Sequence, residues 1–299
     1  MATKSSATRP PRCTDANAIL LCTLGLAAVI AAVGGTADAT TIYTWTNGGV
    51  ANDIDDPNNW DQATAPASGS KLGNVSVGDI IRFDSEAATL PTTNIDLVRI
   101  GGGNAMSNFD LRNGSLNFNR AEVYHLGSTT FTVGDGDMTT LARANFSNGT
   151  INLNRDGGAI TYVVNADGTM KMNNNIDFGQ RNSVVRLVGG YFDGSGRTVN
   201  SNFTNSGENY VSFEEVGSTF TANYGGQLAN LAAVQNNAGS GRSFRLGGAL
   251  ASNPNASLSV IDNGSSFTVG VVAVPEPGGF GLAAAGLLSL VAFCRRRMR

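Results

Sequence analysis

Between residues 109 and 188, apolar side chains fall at every second position in short runs, and glycine-bearing turns separate one run from the next. The runs occupy 109–112, 115–118, 130–133, 150–153, 160–163 and 184–188. Alternation at period two sets β-branched, aromatic and leucine side chains on one face of an extended strand, and that face can be buried. A helix needs apolar residues at three- and four-residue steps. Only 227–236 offers such spacing, through Leu228, Leu231, Ala232 and Gln235. The expectation is an all-β chain with one short helix between its two ends, which are read separately as an N-terminal signal helix and a C-terminal membrane helix.

The turns share a chemistry. Asn113-Gly114, Asn148-Gly149 and Asn263-Gly264 have one form, and Asp167-Gly168 is a near relative. These pairs reach positive φ at low cost, as sharp reversals require. Residues 111–119 repeat the pattern of 146–154 at an offset of 35, and turn glycines at 168 and 190 follow. A loose period of about 20 residues suits the coils of a solenoid. The strand-turn-strand unit predicts a right-handed parallel β-helix over residues 101–273. Isolated Asn-Gly hairpins would instead give an antiparallel β-sandwich.

Residues 40–100 differ. The only two tryptophans, Trp45 and Trp60, bracket a polar loop ending in Asp55-Asp56-Pro57-Asn58-Asn59. Gly78-Asp79 then precedes the strand pattern at 80–83. This stretch resembles the opening module of secreted, autotransporter-like β-helical passengers. A solenoid exposes an apolar, unpaired edge at its end coil. Two large aromatics there are expected to cap it; a sugar-binding aromatic platform is the rival.

The two ends are expected to be targeting segments and are set aside from the fold. Lys4, Arg9 and Arg12 precede an uncharged apolar run at 18–33, and Ala37-Asp38-Ala39 follows. That order predicts a signal peptide over residues 1–39, read by the export translocon. Signal peptidase would recognise Ala37 and Ala39 and cut after Ala39. The apolar run is short for a membrane span of about 20 residues. At the other end, Val274-Pro275-Glu276-Pro277 leads into an uncharged stretch at 278–294, closed by Arg295, Arg296, Arg297 and Arg299. An apolar run followed by arginines reads as a membrane helix with a cytoplasmic tail. Pro275 and Pro277 prevent it from continuing any element upstream.

The tripeptide, the apolar stretch and the arginine cluster, in that order, resemble the PEP-CTERM sorting domain of Gram-negative-type envelopes. The resemblance covers residues 274–299. It implies that an exosortase-type transpeptidase recognises Pro275, Glu276 and Pro277 and removes the tail. It also implies transient anchoring in the inner membrane, release to the cell surface or beyond, and association with extracellular polysaccharide and biofilm.

Without both ends, 13 basic residues remain against 20 acidic ones, a net charge of −7, and Cys13, Cys22 and Cys294 are gone. An acidic product does not suit nucleic acid as a partner. An exported domain of this size can build its core without disulfides. Little points to catalysis. His125 is the single histidine, and no nucleophile turn accompanies it. Asp135-Gly136-Asp137 begins like a calcium loop but lacks the rest of the ligand spacing. Asp53, Asp55, Asp56 and Asp61 form an acidic loop expected to be a solvated turn. Arg143, Arg155 and Arg181 stand in no recognisable lyase arrangement, and no pair of acids stands in a glycosidase motif. The Asn-x-Ser/Thr triplets at Asn74 and Asn202 read as turn and strand chemistry. The expectation is a non-enzymatic envelope or matrix protein of adhesin type that needs no cofactor or metal. The alternatives are a polysaccharide-active enzyme on the same fold and a carbohydrate-binding module.

Overall fold

The structure is a computed structural model. It describes residues 40–67, 71–72, 79–84, 89–91, 96–97, 108–118, 129–136, 141–146, 151–152, 160–178, 183–201, 203 and 208–273. The expected signal and sorting segments lie outside these residues. The strands in chain order are β1 (Ile42–Thr44), β2 (Lys71–Leu72), β3 (Ile80–Phe83), β4 (Asp96–Leu97), β5 (Asn108–Leu111), β6 (Gly114–Phe118), β7 (Thr129–Val133), β8 (Ala142–Phe146), β9 (Ile151–Asn152) and β10 (Ile160–Asn165). They continue with β11 (Gly168–Met172), β12 (Ile176–Asp177), β13 (Ser183–Val188), β14 (Tyr191–Ser201), β15 (Tyr210–Phe213), β16 (Thr219–Gly226), β17 (Phe244–Leu246), β18 (Ala256–Asp262) and β19 (Ser266–Ala273).

These strands build a β-solenoid. The first sheet has eight strands in the order β1-β3-β5-β7-β10-β13-β15-β17, and every pairing in it is parallel. In the second, β6, β8, β11, β14 and β16 pair in parallel. From β5 to β16 successive coils thus add one strand to each sheet, whereas β2 and β4 pair in a small parallel sheet of their own. The expected parallel stacking is what forms, and among the described strands antiparallel pairing occurs at the C-terminal end, where β16, β19 and β18 pair antiparallel. Asn263-Gly264 makes the true hairpin there, with Gly264 at φ 85°. Asn113-Gly114, with Gly114 at φ 82°, is a corner that carries the chain from the first sheet into the second.

The expected repeat is corrected. Stacked partners lie between 22 residues apart (Phe109 and Phe131) and 38 apart (Ile42 and Ile80). The two similar segments at an offset of 35 are not stacked: β6 pairs with β8, Gly114 facing Ala142, whereas β9 pairs with β12. Register follows the inward apolar face, since a slip of one residue would turn that face to water.

The inward columns are in register from coil to coil. In the first sheet Ile81, Phe109, Phe131, Tyr162, Val185, Val211 and Phe244 follow one another. All are buried. Parallel strands lie about 4.8 Å apart, so aligned rings meet at stacking distance. Phe109 and Phe131 stack at 4.5 Å and 19°, and Phe192 and Phe220 of the second sheet at 4.6 Å and 17°. Such a pair contributes about 0.5–1.5 kcal/mol beyond its burial.

The helix is shorter than expected. α1 (Leu231–Asn236) starts only after Asn230, whose side chain accepts from the Ala233 amide at 2.9 Å. Leu228 instead closes a turn with Gly225 through reciprocal backbone bonds, which keeps it out of the helix. Among the described residues no helix is long and apolar enough to cross a membrane.

Candidate functional surface

Trp45 and Trp60 are interior residues. They are 0% and 3% exposed and meet edge to face at 5.3 Å, with Phe83 packed on both. Each indole N–H is spent inside, Trp45 on the Thr89 carbonyl and Trp60 on the Ile54 carbonyl. Neither ring is open to a sugar, so the aromatic-platform reading fails. The pair helps seal the end of the first sheet. Residues 59–61 return antiparallel along β1: Thr46 donates to Asn59, Asp61 donates to Thr44, and Trp45 bridges Trp60. The Asp61 carboxylate takes the Thr44 amide and Gln62 donates to the Ile42 carbonyl. An edge strand offering bare N–H and C=O groups invites pairing with another chain; here the Thr44 N–H and C=O and the Ile42 C=O of β1 are occupied.

The acidic loop does the same kind of work. Asp56 accepts from the Val50 and Asn58 amides at 2.6 and 2.9 Å. Those bonds hold its carboxyl below the usual carboxylate range. Asp53 accepts from the Asp55 amide. In the Asp135-Gly136 turn, the two amides donate to Asp167 at 3.1 and 2.8 Å. Burial raises the Asp167 carboxyl above its usual range, against the pull of those bonds. Among the described residues no group of three metal-ligating side chains forms. Asp137, His125, Arg155 and Arg181, with Ala37, Ala39, Pro275, Glu276, Pro277 and the terminal arginines, lie outside the described residues.

The outward face of the second sheet carries two columns of polar side chains. One runs Asn117, Asn145, Lys171, Asp193, Thr221 and Thr268, in register across six strands. Beside it run Ser115, Arg143, Thr169, Tyr191 and Thr219. Neighbouring coils bond across these columns. The Asn145 amide donates to Ser115 Oγ at 2.9 Å and to Asn117 Oδ1 at 3.1 Å, and the Thr221 and Thr268 hydroxyls meet at 3.0 Å. Tyr191 donates to Asp193 at 3.4 Å. Amide and hydroxyl groups thus stand at one-strand spacing on a nearly continuous face, and Asp193 is the only carboxylate in its two columns.

The first sheet turns charge pairs outward. Arg82 and Arg112 both reach Asp110 Oδ2, at 2.9 and 3.3 Å. Arg186 grips Glu214 with two bonds, at 2.8 and 2.6 Å. The Arg186 hydrogen bond holds the Glu214 carboxyl below its usual range. A carboxyl depressed in the folded state stabilises the fold above its unfolded value, about 4.3, and that contribution is lost as pH falls through the folded value. Glu214→Gln is therefore expected to flatten the acid limb of stability, measured as urea midpoints at neutral pH and below the usual glutamate range. With Arg186 partly exposed, the change at neutral pH should stay at or under about 1 kcal/mol.

No family model, no curated protein and no solved structure matches this chain.

Proposed function

We propose that the chain is an exported, non-enzymatic protein of the cell surface or extracellular matrix that associates with polysaccharide through the polar face of its second sheet. The observation that carries this reading is the face itself. Six strands present amides and hydroxyls in register, a surface suited to many weak hydrogen bonds along an extended glycan. The burial of both tryptophans weighs against a carbohydrate-binding module built on them, and the lone carboxylate weighs against an enzyme of that face. The right-handed coil expected from the sequence belongs to this reading, since crossovers between parallel strands are overwhelmingly right-handed.

The PEP-CTERM resemblance of residues 274–299 completes the proposal. Signal peptidase would release the chain after Ala39. An apolar helix with Arg295, Arg296, Arg297 and Arg299 on its cytoplasmic side would hold it in the inner membrane. A transpeptidase would then act at Pro275, Glu276 and Pro277. The intact mass of protein recovered outside the native host tests this: a species beginning at Thr40 and ending between Pro275 and Pro277 is expected. A product found only in membranes with Arg299 retained would overturn the sorting step. Sedimentation with the host's exopolysaccharide tests the face, and Asn145→Glu with Thr221→Glu should reduce it severalfold.

A further inference from the structure

At the C-terminal end of the solenoid, a cavity of about 520 Å³ opens between β17, the loop 238–241 and β18. Its walls are mixed. Ala238, Leu246 and Leu258 give apolar surface, Ser240 and Ser257 give hydroxyls, and Arg245 gives charge. Arg245 stands in the outward column of the first sheet, opposite Ser212. Its guanidinium carbon lies 3.1 Å over the centre of the Tyr210 ring. Stacking fixes the plane of the guanidinium by its face and leaves its N–H edge available. The other arginines described on this sheet, Arg82, Arg112 and Arg186, are each tied to a carboxylate; Arg245 has no carboxylate partner among the described residues.

We infer that this cavity binds a carboxylate-bearing sugar, a uronate unit of an acidic polysaccharide, with Arg245 taking the carboxylate. The fork of the guanidinium matches a carboxylate with two parallel bonds. The apolar walls suit the C–H faces of a sugar ring, and the two serines suit its hydroxyls. A cavity of this size holds a ligand of one or two rings, within the usual range for small-ligand sites of about 300–1,000 Å³. The surrounding protein is acidic, so an anionic polymer is not gathered by net charge; recognition falls on this one cation. A peptide strand fits less well, because the outer edge of β17 is already engaged by Asn237 and Gly239 at Phe244.

The inference rests on the polysaccharide reading above and names the ligand class for a second site. The probe is an oligogalacturonide of a few units, titrated calorimetrically into the full chain, with the uncharged oligogalactoside of equal length beside it. The acidic oligomer is expected to bind, and the neutral one at least tenfold more weakly. Arg245→Gln should weaken the acidic oligomer about ten- to hundredfold, as loss of a charged bidentate bond does, with an unchanged circular dichroism spectrum. Arg245→Lys should recover only part, and Ser257→Leu, which narrows the cavity from β18, should block both oligomers. Equal affinity for the two oligomers, no binding of either, or indifference to Arg245→Gln would overturn the inference. Sedimentation with native exopolysaccharide separates the two ideas: if it persists in Arg245→Gln but falls with Asn145→Glu and Thr221→Glu, the face stands whatever the cavity does.

Discussion

Gly190→Val should cost at least about 3 kcal/mol and leave little folded protein at 37 °C. Gly190 sits at the corner between β13 and β14, where a Cβ would press on the Asn165 carbonyl oxygen and lie 2.7 Å from the Val164 carbonyl carbon. Those atoms are backbone of the preceding coil, so no rotamer change relieves the clash; one coil must move off the next. Gly168 meets the same obstacle one coil earlier, against the Val133 carbonyl. Gly196→Ala is the control. Its neighbourhood is open, and only its φ of 78° opposes a side chain, at about 1–2 kcal/mol. Urea unfolding of the three proteins reads the difference. A Gly190→Val protein as stable as Gly196→Ala would mean the corners are not in close contact.

Trp45→Ala is expected to destabilise by about 3–5 kcal/mol, the range for emptying a buried aromatic site. The ring is fully enclosed. Its loss also leaves the Thr89 carbonyl without the indole donor 2.8 Å away and removes the edge that Trp60 packs against. The bridge along β1 then loosens, and the exposed edge should make the variant self-associate as concentration rises. Trp60 becomes the sole tryptophan, so its emission should shift to the red as the loop opens. A loss under about 1 kcal/mol without such a shift would show that the loop merely decorates the end of the sheet.

The inward half of the fold was legible because period-two alternation reports burial directly. β5, β7, β10 and β13 fall within a residue or two of the expected runs. What the pattern cannot report is the partner. Asn-Gly encodes a positive φ, and a corner and a hairpin both need one; whether the following strand returns antiparallel or crosses to another sheet is settled by distant packing. Thus Asn113-Gly114 and Asn263-Gly264 look alike and act differently. The outward face was hidden for a related reason. Asn117 and Asn145 become neighbours only once the register of β6 and β8 is known, and uneven coil lengths conceal a 28-residue step. The Arg245 cavity was missed altogether, because Tyr210 and Arg245 approach each other only across β15 and β17.

The stacking order has a kinetic consequence. Nearly every strand pairs with one 22–38 residues away, and the first edge is closed by residues only 15 positions further on. Loop-closure entropy is therefore met in small, similar steps, and each finished coil is a template for the next. A chain delivered N-terminus first can fold as it arrives, with no need to wait for its end. Only β19, which returns to β16 across 47 residues at Thr221 and Thr268, must be present before the last coil is locked.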